Sequence, residues 1–203
     1  MKRVMIIDYH MSNMFSIQNA LINLGYDCIV SDEKNELLES DIAILPGVGA
    51  FPEAMKKLIK LDLAEPIKEF ASKSKKIIGI CLGMHLLFES SDEFEDTKGL
   101  GLINGCVKRI NEEDKQLVIP HIGWNTVKIT NDKMFKKYQN NRFYFVHSYY
   151  CKNSNKNNEI MKTNYKGLNF TSMVVKNNIY ACQFHPEKSG VQGLSLLNEM
   201  LSK

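Results

Sequence analysis

The stretch KKIIGICLGMHLLFES, Lys75–Ser90, sets one cysteine at the junction of two apolar runs. KKIIGIC reads as a short buried strand, and Leu82 to Glu89 reads as a helix. Gly79 and Gly83 stand two residues to either side of Cys81, which is the form of a nucleophile elbow with cysteine in the serine's place. In such a turn the nucleophile sits in a strained backbone conformation, and small neighbours let strand and helix approach. The free N–H groups opening the helix then point at the sulfur and favour a thiolate. The backbone N–H of Leu82 is placed to donate to an oxyanion. The plain alternative for a lone cysteine after an apolar strand is a small buried hydrophobe.

Working outward, the first half of the chain alternates between two periods. Val4–Asp8, Cys28–Val30 and Asp41–Gly47 read as strands. A helix with the apolar stripe Phe15, Ile17, Leu21, Ile22 and Leu24 stops at Gly25, and further helices are expected near Pro52–Leu61 and Ala64–Ser72. Strands alternating with helices indicate βαβ units and a parallel sheet covered on both faces. The second half is richer in strands, expected at Cys106–Ile110, Asn125–Ile129, Arg142–Tyr149, Ser172–Val175 and Ile179–Phe184, before a last helix at Val191–Leu201. Successive strands without helices between them imply antiparallel additions. Ser90–Gly99 and Lys152–Asn158 read as solvated loops. With no linker or repeat, residues 1–203 read as one α/β domain.

Composition narrows the function classes. Against 23 acidic residues stand 26 basic ones, a formal charge of +3 with no basic stripe, which implies no nucleic-acid partner. Five cysteines without a CxxC pair argue against a disulfide framework or a zinc knuckle. No apolar segment approaches the about 20 residues a membrane span needs, and the start MKRVMIIDYH lacks a signal-type apolar core. The reading is a cytoplasmic chain with reduced thiols, no membrane contact, no metal and no cofactor.

A thiolate nucleophile needs a proton carrier. His185 lies in QFHPEKSG just past a strand, and Pro186 biases it toward extended backbone. Residues 185 and 187 then project to one side, so that Glu187 can orient the imidazole in the manner of a triad. A surface turn is the plain alternative. His147 in FYFVHSYY competes as base and is read as lining the pocket. LPGVGAF, Leu45–Phe51, follows the third strand, at the sheet end where α/β ligand sites form.

These motifs together resemble the class I (triad) glutamine amidotransferases, and more narrowly the HisH family, the glutaminase subunits of imidazole glycerol phosphate synthase. The resemblance runs through DYHMSN, LPGVGAF, GICLGMHLLFES, KGLGLINGCV, PHIGWN, FYFVHSYY and QFHPEKSG. It implies a flavodoxin-like fold, with a mostly parallel central sheet, helices on both faces and antiparallel additions in the second half. It also implies that Cys81 attacks the side-chain amide of glutamine to give a γ-glutamyl thioester. His185 would protonate the departing ammonia and then activate water, with Glu187 orienting it. The oxyanion hole would combine Leu82 with Val48 and Gly49, in a loop that reorients when the partner binds its nucleotide. Gly47, His85, Ser148 and Tyr149 would contact glutamine. Asn13, Pro120, His121, Trp124 and Lys188 would lie at or near the interface with a HisF-type (β/α)₈-barrel cyclase, in a heterodimer making imidazole glycerol phosphate and AICAR in histidine biosynthesis. Free ammonia would be protonated and diluted in water, so the glutaminase must dock on its consumer.

Two departures from the family stand out. His85 replaces the usual glutamine four residues after the nucleophile, and a shorter side chain that titrates near neutral pH implies weaker or pH-dependent glutamine binding. His10 and Ser12 replace glycines of the usual DYGxGN start, in a loop near the partner face. They leave two alternatives open: a paralogue supplying ammonia for amidination of a surface sugar, and a non-catalytic docking subunit.

Overall fold

The architecture follows from three parallel strands whose alternate side chains are buried on opposite faces. A computed structural model describes residues 2–11, 14–111, 117–130 and 134–202. In β1 (Arg3–Ile7), Val4 and Ile6 enter one core while Met5 and Ile7 enter the other. Ile42 and Ile44 against Ala43 and Leu45 repeat the pattern in β3 (Ile42–Leu45), as do Ile78 and Ile80 against Ile77 in β4 (Lys76–Ile80). Continuous apolar runs of this kind require cover on both faces. One face is covered by α1 (Met14–Asn23) and α6 (Gly190–Ser202). The other is covered by α2 (Lys34–Glu39), α3 (Phe51–Lys60) and α4 (Ala64–Ser72).

The remaining elements are β2 (Asp27–Ser31), α5 (Leu82–Leu86), β5 (Phe88–Ser91), β6 (Thr97–Lys98), β7 (Ile103–Arg109), β8 (His121–Ile129), β9 (Arg142–His147), β10 (Tyr149–Asn153), β11 (Glu159–Tyr165), β12 (Leu168–Lys176) and β13 (Ile179–Cys182). The main sheet runs β2-β1-β3-β4-β13-β12-β10-β7-β5-β6, parallel from β2 to β13, and β13 and β12 pair antiparallel. β11, β8 and β9 branch from it through β12. The expected α/β fold, mostly parallel in its first half with antiparallel additions in its second, is the one observed. No helix among the described residues is long and apolar enough to cross a membrane, and all five cysteines are free thiols.

Several local expectations are corrected. The helix after Cys81 ends at Leu86 rather than Glu89, because Phe88–Ser91 pairs parallel with β7; the fully buried run Leu86–Phe88 suits either state. Phe15 and Ile22 leave the apolar stripe, at 71% and 57% exposure, and Ala20 takes their place beside Ile17 and Leu21. Helix α2 and strand β11 were not anticipated. The former buries only Leu37, and the latter is interrupted by bulges. The strand expected over Arg142–Tyr149 divides at Ser148, with β9 pairing β8 and β10 pairing β7 and β12.

Phe184, directly before His185, stacks on Phe143 with centroids 4.3 Å apart and meets Phe145 edge-on at 5.6 Å. Phe184→Ala removes this buried contact and is expected to cost about 3–5 kcal/mol, read as a lowered midpoint in urea unfolding.

Candidate active site

Because β4 lies between β3 and β13 and parallel to both, the chain segments leaving all three strands meet at the C-terminal end of these strands. The registers Leu45↔Gly79 and Ile80↔Cys182 align the strand ends, and the Cys81 N–H donates to the Cys182 carbonyl at 2.8 Å. Cys81 itself has φ 55° and ψ −111°, a conformation an L-residue holds only when its surroundings impose it. The two glycines explain how. A side chain at Gly83 would run into the Leu45 carbonyl oxygen, and one at Gly79 would press on Leu87 at 2.7 Å and on the Gly83 carbonyl at 3.0 Å.

Across β13, His185 Nδ1 lies 2.8 Å from Glu187 Oε1, with both side chains almost fully buried. The backbone holds this pair in place. The His185 N–H donates to the Tyr144 carbonyl at 2.9 Å, while the Ser189 hydroxyl donates to the His185 carbonyl at 2.6 Å and accepts from the Tyr144 N–H at 3.0 Å. Among the described residues His185 Nε2 is buried without a hydrogen-bond partner. Burial disfavours charge on this ring, but Cys81 and Glu187 outweigh it and raise its pKa to about 10. The imidazole therefore carries a proton at neutral pH.

The sulfur borders a cavity of about 230 Å³ whose walls include Val48, Gly49, Leu82, His85, Ser148 and Tyr149. His147 also lines it, as expected. Gly47 does not; it is packed below, against the Tyr9 hydroxyl and Leu82, and that hydroxyl donates to the Pro46 carbonyl at 2.6 Å. Leu82 opens α5, where a helix leaves its first N–H groups unpaired. The Val48 N–H is engaged, donating to the Met11 carbonyl at 2.9 Å, so in this conformation it does not serve an oxyanion.

His85 departs from expectation. Its ring is fully buried, and Nε2 lies 2.7 Å from Gln183 Oε1. Burial depresses its pKa to about 4, so it is neutral near pH 7 rather than titrating there. Glu93 was missed because the SSDEFEDTKG segment looks uniformly solvated. In fact Glu93 is 8% exposed, lines the cavity and accepts from the Phe51 N–H at 2.8 Å. Burial raises its pKa and that hydrogen bond opposes the rise.

Of the expected interface residues, Asn13 lies outside the described residues. Pro120 and Lys188 are exposed, and Trp124 is 46% exposed. His121 is instead buried at 3%, stacked on Phe145 and Tyr165 with Nδ1 2.9 Å from His147 Nε2. It lies behind the surface rather than on it, because its β8–β9 register faces it toward His147.

The family model described as glutamine amidotransferase class-I matches residues 5–202, and the chain belongs to that family. It is 45% identical over 194 residues to the imidazole glycerol phosphate synthase subunit HisH of Caldanaerobacter subterraneus subsp. tengcongensis, covering 95% of this chain and 94% of that one. It is 42% identical over 205 residues to the subunit of the same name from Lactococcus lactis subsp. lactis, covering 100% of both. Among solved structures, PurLQS from Thermotoga maritima superposes with a TM-score of 0.76 at 20% identity, covering 99% of this chain and 98% of that one. A structure described as a glutamine amidotransferase superposes at 0.75 and 15% identity, covering 96% of both. The last two likenesses concern the fold alone.

The histidines make stability depend on pH with opposite signs. His85 has a folded pKa below its unfolded value, so its contribution is complete above about pH 6.5 and is lost as pH falls toward 4. His185 has a raised folded pKa, so its contribution is complete below about pH 6.5 and is lost as pH rises through 10. Urea unfolding at pH 7 and pH 5 is expected to show about 2 kcal/mol less acid loss in His85→Gln than in the parent chain.

Proposed function

We propose that the chain is the glutaminase subunit of imidazole glycerol phosphate synthase, working in the cytoplasm as one domain and passing ammonia to a (β/α)₈-barrel cyclase in histidine biosynthesis. The observation that carries this reading is the elbow cysteine facing a buried, protonated His185–Glu187 pair. The full-length HisH relatives support the pathway.

The Cys81 thiolate attacks the δ-carbon of glutamine, forming the C–S bond. Charge collects on the amide oxygen, toward which the Leu82 N–H donates. His185 gives its proton to the amide nitrogen as the C–N bond breaks and ammonia leaves. The now neutral imidazole takes a proton from water, which attacks the thioester and releases glutamate and the thiolate. Glu187 accepts from His185 Nδ1–H throughout, which keeps Nε2 directed at the chemistry. Glu93 is the carboxylate available in the cavity for the α-ammonium group of glutamine, and Ser148 and Tyr149 line the same cavity. A second oxyanion donor requires the Val48 peptide to leave Met11, or the Gly49 N–H to enter the cavity. Docking of the cyclase near Trp124, Pro120 and Lys188 supplies a reason for that change and encloses the released ammonia.

Glutamate release from glutamine tests the reading, measured with the purified chain alone and then with a histidine-pathway cyclase carrying its nucleotide ligand. The expected result is a low rate alone and a rise of about fivefold or more with the liganded cyclase, the bias that release of one backbone hydrogen bond lifts. Stimulation by a sugar-pathway barrel only would reassign the acceptor. No glutamate under any condition would leave the docking-subunit alternative. Cys81→Ala is expected to lower the stimulated rate by at least about 1,000-fold without altering cyclase binding by gel filtration.

A further inference from the structure

The nucleophile's sulfur has a neighbour that the triad does not use. Gln183 Nε2 lies 3.9 Å from Cys81 Sγ, and the Gln183 side chain is completely buried. Its Oε1 is 2.7 Å from His85 Nε2, and its backbone N–H donates to the Ser172 carbonyl at 2.9 Å. We infer that Gln183 is a further catalytic residue whose amide N–H supports the Cys81 thiolate, with His85 as the positioning residue that fixes the amide's orientation. The inference rests on the glutaminase reading of Cys81.

Donor and acceptor bookkeeping leads to this assignment. A neutral His85 carries one ring proton. With that proton on Nε2, it donates to Gln183 Oε1, and the amide must then present its NH₂ group to the sulfur. Turning the amide over would set a carbonyl oxygen against the sulfur lone pairs. Another close polar contact of the sulfur, the Val146 carbonyl oxygen at 3.8 Å, can only accept. It suits the thiol and opposes the thiolate. When the proton leaves, the Gln183 N–H is the neutral donor that remains, and hydrogen bonds to an ionised acceptor in a dry site are about twice as strong as neutral ones.

Other groups act on the same sulfur: His185 with Glu187 behind it, Tyr9 beyond β1, and the buried thiols of Cys151 and Cys182. All of them persist when position 183 is changed, so a substitution there isolates the amide. The pairing also gives His85 a purpose. In the HisH pattern glutamine usually stands at this position and contacts the substrate, whereas here the Nε2 side of the ring is committed to Gln183.

The test is the rate at which iodoacetamide alkylates Cys81 as a function of pH, followed by mass spectrometry of the Cys81 peptide. The partly exposed Cys28 and Cys106 serve as internal references. Gln183→Met keeps the volume and removes the donor. It is expected to slow Cys81 labelling about tenfold at pH 7 and to displace the profile by about one pH unit to the alkaline side. Gln183→Glu, which keeps an acceptor for His85, is expected to slow it further. His85→Leu should resemble the methionine variant, while His85→Gln, which retains a donor, should label close to the parent rate.

Parent-like labelling in Gln183→Met with unchanged thermal unfolding would overturn the inference, as would identical behaviour of His85→Leu and His85→Gln. If the methionine variant does not fold, Gln183→Glu and the two His85 variants decide. Should parent Cys81 label no faster than Cys28 and Cys106, the nucleophile reading falls and the inference with it. Labelling that responds to Gln183 in a chain that releases no glutamate overturns the glutaminase reading alone.

Discussion

The contact on which the site depends is the approach of the Gly83 backbone to the Leu45 carbonyl, one residue into α5 on one side and at the last residue of β3 on the other. No side chain fits between them. That closeness forces the chain to reverse within Cys81, and the reversal produces its left-handed φ of 55°. The strain is local, but what holds it is distributed: β4 is fixed on both flanks by parallel neighbours, and the Cys81 N–H is tied to Cys182. A nucleophile so placed has little freedom to relax, which is the condition for keeping a reactive group aimed into a cavity.

The proton-handling half of the site is built differently. His185 lies on a short segment after β13, and its position is set by hydrogen bonds to β9 through Tyr144 and Ser189. Phe184 drives the same segment into the aromatic cluster with Phe143 and Phe145. The parallel sheet thus supplies the nucleophile, while the antiparallel additions fix the base against it. The two halves of the topology meet where β13 pairs antiparallel with β12, and within the second half one expected strand becomes two at Ser148, with different partners.

Much of this arrangement was legible because it is local in the chain. Gly79, Cys81 and Gly83 span one turn, and His185 and Glu187 are two residues apart, so spacing alone carried their geometry. The parallel half of the fold was legible from runs such as Val4–Ile7, which both faces of the sheet bury. Glu93 was illegible because its neighbours Asp92, Phe94 and Glu95 look like any solvated loop, and only the tertiary approach of Phe51 buries it. The neutrality of His85 and the burial of His121 were hidden for the same reason. Both depend on partners about 100 and 26 residues away, Gln183 and His147, and a histidine's ordinary titration says nothing of its surroundings. The end of α5 at Leu86 was hidden because an apolar run buried on all sides shows no period.

The link between Val48 and Met11 has a consequence for how tightly idle turnover can be suppressed. It is one backbone hydrogen bond between two loops, with a net value of about 1 kcal/mol. At room temperature such a bond biases two peptide orientations by only about fivefold. A restraint this soft behaves as a leaky valve rather than a lock. Background consumption of substrate would be throttled, not extinguished, unless the Met11 methyl group that lies beside the Gly49 backbone adds its own resistance. The same softness makes the valve easy to open: a shift of the Met11 segment by a fraction of an ångström, well within what a docked surface can impose, is enough to release it.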